Sequence, residues 1–218
     1  MEKEERSMIE QVEVFYTEEQ LRPKQDFVAI GNDEDFDHAA FIVKYNDKEY
    51  EFDFYNEDQG IVWMTLENKF YYLPLERIAP LDVPAFIARC RHIRKHAKPQ
   101  FGYFYSGESY TIDGIHTSKT NTGERMTCVG FCLNVLKGFL EEDYLEYSDW
   151  DASSHYDPSY LKEFCAKHGF KEEDISDSHR RITPLECLTS CCFNTFPIRK
   201  KKIDSKKDLV KEAVESLK

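Results

Sequence analysis

One cysteine, one histidine and two carboxylates fall where a thiol nucleophile would need them. In "GERMTCVGFCLNVLKGFL" (123–140), Thr127 is the predicted N-cap and Cys128 the first residue of an apolar helix. The positive end of a helix dipole favours thiolate over thiol, and the thiolate is the nucleophilic form of cysteine. Such a nucleophile needs a base, and the base needs an orienting partner. His38 offers the imidazole, directly after the acidic turn "NDEDFD". Asp53 and Glu51 offer carboxylates on the segment that follows.

The spacing brings these groups together if 38–55 is a hairpin. "HAAFIVKY" and "KEYEFDFY" flank Asn46-Asp47, a favourable two-residue turn. Tyr45 then pairs with Lys48, residue 38 lies opposite 55, and 40 lies opposite 53. Alternation with period two places His38, Ala40 and Ile42 on one face with Glu51, Asp53 and Tyr55. A carboxylate there can accept from the imidazole and fix its tautomer. Asp53 is diagonal to His38 and nearer; Glu51 takes the role if the loop is wider. The small pair Ala39-Ala40 leaves room for a helix terminus to approach. Three competing readings stand beside this one. Cys128 is also a typical small core residue. Asn121, with Glu124 three residues on, is a second capping pair that would start the helix earlier. His38 beside an acid is also what a solvated strand end looks like.

The order His, hairpin acid, Cys resembles the circularly permuted branch of the NlpC-type papain-like superfamily, which includes YiiX-like and lecithin:retinol acyltransferase-like proteins. The similarity rests on "HAAFIV", "YEFDF" and "TCVGFCLNVL", with Phe131 three residues after Cys128, and covers roughly residues 26–140. Ala40 stands where the family usually carries glycine. The resemblance implies that Cys128 attacks a carbonyl, that His38 shuttles the proton, and that Asp53 or Glu51 orients His38. It also implies that the Cys128 backbone N–H holds part of the oxyanion. The second oxyanion donor is open among Tyr103, Tyr105 and Tyr110.

Several elements must position these groups. "DFVAIG" (26–31) predicts a strand before the hairpin, and "IVWMTL" (61–66) and "KFYYLPL" (69–75) continue it as a meander. A helix or strand is predicted within 8–21. Asp82 caps a predicted helix over 83–97, Pro99 ends it, and "FGYFYS" (101–106) reads as a further strand. Asp157-Pro158 opens another helix, and Thr183-Pro184-Leu185-Glu186 is a capping box opening "LECLTSCC". The loops 106–125 and 148–157 are expected to wall the thiol, with Tyr110 and Trp150 as apolar contacts. The fold expected is α+β: an antiparallel sheet or half-barrel packed on a buried helix, permuted papain-like, with extra C-terminal helices. Residues 1–198 are read as one domain (core about 26–140, helical extension 141–198) and 199–218 as a basic amphipathic tail helix.

Composition narrows the function. The 218 residues carry a net charge of −12, divided as −16 over residues 1–198 and +4 over 199–218. An acidic body argues against binding a phosphate backbone, so no nucleic-acid partner is expected. A basic protein partner fits the charge better. No apolar run reaches the roughly 18 residues of a membrane span, and "MEKEERSMIEQ" lacks a signal-peptide core. The expected location is cytoplasmic, where the seven irregularly spaced cysteines would be free thiols. Asp33, Asp35 and Asp37 are spaced for calcium, but His38 and Lys44 occupy the positions of the required glycine and glutamate. His92 and His96 lack the glutamate of a metalloprotease helix. No cofactor motif is present, and none is expected, nor is a metal. The expected function is a cysteine-dependent hydrolase or acyl transferase acting on an amide, ester or thioester, with a peptide, acyl or lipid-like substrate. The alternative is a non-catalytic, acidic binding or immunity-type protein that keeps the fold.

Overall fold

A computed structural model describes residues 25–55, 59–67, 69–102, 110, 125–150, 162–163, 165–167 and 181–218. The architecture is mixed α+β, built on a five-stranded antiparallel sheet. Its strands are β1 (Phe27–Asn32), β2 (Ala39–Tyr45), β3 (Lys48–Phe54), β4 (Ile61–Thr65) and β5 (Tyr71–Pro74), in spatial order β4-β3-β2-β1-β5. The β2–β3 turn is the one the sequence predicts: Asn46 and Asp47 take φ of 51° and 60°, and Tyr45 faces Lys48. Asn and Asp tolerate the left-handed region that such a turn requires.

The meander expected through residues 69–75 is not formed. After β4 the chain crosses the sheet, and β5 pairs with β1, Ala29 facing Pro74 and Asn32 facing Tyr71. The reason lies in β1. All six of its residues are buried, so it is a central strand and needs a neighbour on each side. Pro74, which has no N–H to donate, is tolerated because β5 is an edge.

The two faces of the sheet differ. Ala39, Phe41 and Val43 of β2, with Phe52 and Phe54 of β3, belong to the main core. Ala40 and Ile42 belong to a smaller cluster with Phe27, Ala29, Phe70 and Tyr72. Helices α1 (Val83–His96) and α2 (Cys128–Lys137) contribute their buried residues to the main core. Asp82 precedes α1 without a side-chain capping bond; a short 3-10 turn over Pro80–Asp82 leads in instead. Strands β6 (Gln100–Phe101) and β7 (Arg125–Met126) form a small parallel pair that leads into α2. Of the strand expected over 101–106, Phe101 lies in β6 and residues 103–106 fall outside the described residues.

Helix α3 (Pro184–Ser190) has the expected capping box: Glu186 N–H donates to Thr183 Oγ1 at 3.2 Å, and Thr183 N–H to Glu186 Oε2 at 2.8 Å. The tail expected as one helix is two, α4 (Lys200–Asp204) and α5 (Lys207–Glu215), with a break at Ser205-Lys206. Val210 and Val214 of α5 are buried in the main core. The element expected at 8–21 lies outside the described residues, as does most of the predicted loop walls. Trp150, expected over the thiol, is fully buried in the core.

Candidate functional site

Cys128 opens α2. Thr127 is its N-cap, extended at ψ 173°, and Thr127 Oγ1 accepts from Gly130 N–H at 3.0 Å. Arg125–Met126 just before it is strand, so α2 itself begins at Cys128; Asn121, the other predicted cap, lies outside the described residues. From Val129 to Leu136 every residue is buried, so the helix is fixed on all sides and its first residue cannot drift. Phe131 packs between the rings of Phe52 and Phe54, with centroids at 5.2 and 6.1 Å, and Cys132 Sγ lies 3.9 Å from Ala39 O. These contacts seat α2 on the Ala39 face of the sheet. The bulk of Phe41, Phe52 and Phe54 makes this the larger apolar surface, and the small Ala39 leaves room for the helix to approach.

His38 precedes β2 by one residue, and three hydrogen bonds hold the backbone of Asp37 and His38. Asp33 Oδ1 accepts from Asp37 N–H at 2.9 Å and from His38 N–H at 3.1 Å. Asn32 Nδ2 donates to His38 O at 2.8 Å. Asp33 therefore ties the acidic turn together through a side-chain cap. The ring rests against Tyr55 and Phe70, with centroids at 4.8 and 6.3 Å.

The carboxylates sit where alternation places them. Asp53 and Glu51 are on the Ala40–Ile42 face, Glu51 directly opposite Ile42, and both are buried. His38 Nε2 lies 2.6 Å from Asp53 Oδ2; the imidazole is 13% exposed and the carboxylate not at all. Glu51 is close behind, since one ligand atom from each of His38, Glu51 and Asp53 falls within 4.8 Å of the other two. Asp53, not Glu51, thus makes the bond to the ring.

Cys128 lies near enough to the same imidazole to act on its charge. Thiol and carboxylate reach it from different parts of the fold. Asp53 comes from one face of the sheet, Cys128 from the helix packed on the other, and they meet at the end of β2. Burial works against a charge on His38; the hydrogen bond that the ring donates to Asp53, together with the proximity of Cys128 and Asp53, outweighs it and raises the pKa from 6.5 to about 10. The imidazolium is therefore held through the neutral range.

The other thiols lie in different surroundings. Cys90, Cys132 and Cys187 are fully buried, and burial holds each well above the ordinary cysteine value. Burial also raises Cys191 and pushes Cys192 up to about 12. Of the oxyanion candidates, Tyr110 is committed elsewhere: it is buried, its hydroxyl faces Met126 Sδ at 3.5 Å, and its ring packs on Phe131. Tyr103 and Tyr105 lie outside the described residues.

The sequence does not single out Asn32 or Phe70, and it suggests Asp33 only as a calcium ligand. Alternation does place Tyr55 on the histidine face. Asn32 is legible only once β1 is known to run beside Ala39. Among the described residues no helix is long and apolar enough to cross a membrane. Comparison with family models, with curated proteins and with solved structures returned no match.

Proposed function

We propose that this protein is a cysteine-dependent hydrolase or acyl transferase acting on an amide, ester or thioester, built on a permuted papain-like arrangement. The observation that carries the reading is an imidazole that is bonded to the buried Asp53 and whose charge is also favoured by Cys128 at the start of α2. An imidazolium cannot accept a further proton. For Cys128 to attack, the proton must already have passed to His38, so the competent form is a thiolate–imidazolium pair. Thiolate sulfur adds to the carbonyl carbon, and the Cys128 backbone N–H at the start of α2 donates to the oxyanion. The carbon–leaving-group bond then breaks, and His38 gives its proton to the departing amine, alcohol or thiol. In the second half His38, now neutral, takes a proton from water or an acceptor nucleophile. That nucleophile adds to the thioester, the carbon–sulfur bond breaks, and the thiolate returns. Asp53 keeps the ring oriented throughout.

Incubation with a small activated ester, followed by mass spectrometry, tests this. The expected result is an acyl adduct on Cys128 that decays in water or transfers to an added amine. Absence of an adduct on Cys128, with the protein folded, overturns the reading.

A divalent metal held by His38, Glu51 and Asp53 is the second reading, motivated by the convergence of their ligand atoms within 4.8 Å. The 2.6 Å contact between Nε2 and Oδ2 is hydrogen-bond spacing. It is tighter than the roughly 3 Å or more that separates two atoms sharing one zinc ion. Metal analysis of protein purified without chelator separates the two readings: a stoichiometric metal, lost in Glu51→Gln, would favour the second.

A further inference from the structure

On the far side of the sheet from β5, the edge strand β4 meets helix α1 in a groove of about 430 Å³ lined by Trp63, Arg91, Arg94 and Lys95. Three features of this groove belong together. The first is backbone. Leu66 N–H donates to Glu49 O and Tyr55 N–H to Gly60 O, so the even-numbered residues of β4 face β3. Ile61, Trp63 and Thr65 therefore turn their N–H and C=O groups outward. The second is protection, or its lack. Natural edges are blunted by charges, proline or bulges. Here the register runs unbroken from Ile61 to Thr65, and "IVWMT" carries no charge and no proline. Its side chains are half-buried or exposed.

The third feature is charge. Arg91, Arg94 and Lys95 are exposed on a chain of net charge −12. The Arg91 guanidinium stands 5.8 Å over the Trp63 ring, and Arg94 Nη1 donates to Trp63 O at 3.4 Å. Among the described residues none of the three cations pairs with a carboxylate. A long bond from Arg94 to the outward carbonyl is the kind of contact an incoming strand displaces, freeing the guanidinium.

We propose that β4 is a docking edge for an extended acidic peptide segment of a partner protein. The segment would pair with the outward groups of Ile61, Trp63 and Thr65 as a sixth strand, while Arg91, Arg94 and Lys95 bind its carboxylates. Main-chain pairing supplies affinity, and the cations select acidic sequences over basic ones. None of these groups belongs to the His38–Cys128 site, so docking here does not depend on whether the thiol is catalytic.

The full chain carries its own reporter. It has two tryptophans, and Trp150 is fully buried, so a change in emission on adding a peptide reads Trp63. The probe is a short peptide of alternating valine and glutamate, with alternating valine and lysine as the control. The expected result is a saturable change with the glutamate peptide and none with the lysine peptide. Binding weakens about ten-fold or more in Arg91→Glu/Arg94→Glu, and by a similar factor in Thr65→Pro, which removes an outward N–H. N-methylation of alternate peptide amides gives the same loss and requires no protein variant, so the test survives if Thr65→Pro does not fold. The proposal is overturned if the glutamate peptide does not bind or the lysine peptide binds equally well. It is also overturned if the N-methylated peptide binds undiminished, since binding would then be charge alone without strand pairing.

Discussion

Asp53 Oδ2 lies 2.6 Å from His38 Nε2, diagonally across the β2–β3 pair, with Glu51 two residues further along the same face. Two buried carboxylates therefore flank one imidazole, but only Asp53 bonds it. Asp53→Asn is expected to lower the rate of Cys128 acylation by about 100-fold or more, since the proposed route carries the proton on the oriented imidazole. Losing a charge-assisted bond should also cost about 2 kcal/mol of stability. Glu51→Gln should cost less than about ten-fold in the same rate. Acylation kinetics of both variants, with urea unfolding, check this; equal losses would show that both acids act on the ring.

The raised His38 pKa makes stability depend on pH in one direction. The folded state favours the imidazolium, so its contribution is fully present below 6.5 and is lost as pH rises through about 10. Unfolding midpoints in urea should therefore fall between pH 6.5 and 10 more steeply for the native sequence than for His38→Ala. Parallel curves would mean that the histidine is not held as a cation.

Gly138 closes α2 and is expected to tolerate no side chain. A Cβ there would run into Arg89 Nη2 and come within 2.6 Å of Tyr110 O. Arg89 Nη2 already donates to Tyr110 O at 2.9 Å. Gly138→Ala should therefore break that contact and destabilise the chain by about 2 kcal/mol, measured by thermal or urea unfolding.

Much of the site is legible in the residues themselves. The Asn46-Asp47 turn sets the register, and alternation then carries His38, Ala40, Glu51 and Asp53 to one face. Thr127 and the all-round apolar helix likewise place Cys128 at a helix start. What is not legible depends on contacts distant in sequence. Nothing local tells β5 to leave β4 and pair with β1; only the burial of β1 on both sides requires it. The face chosen by α2 is set by the summed bulk of Phe41, Phe52 and Phe54, which come from two strands. The choice between Asp53 and Glu51 turns on a single diagonal contact, and spacing alone leaves it open.

Activation of Cys128 by His38 is tested most directly by the rate of thiol alkylation, followed residue by residue with iodoacetamide and mass spectrometry. All seven cysteines are free, and only Cys128 and Cys192 are partly exposed. The expected result is that Cys128 is modified first among the seven. In His38→Ala its rate should fall about ten-fold or more at neutral pH. Labelling of Cys128 that is no faster than that of Cys192, and is unchanged in His38→Ala, would contradict the thiolate–imidazolium pair.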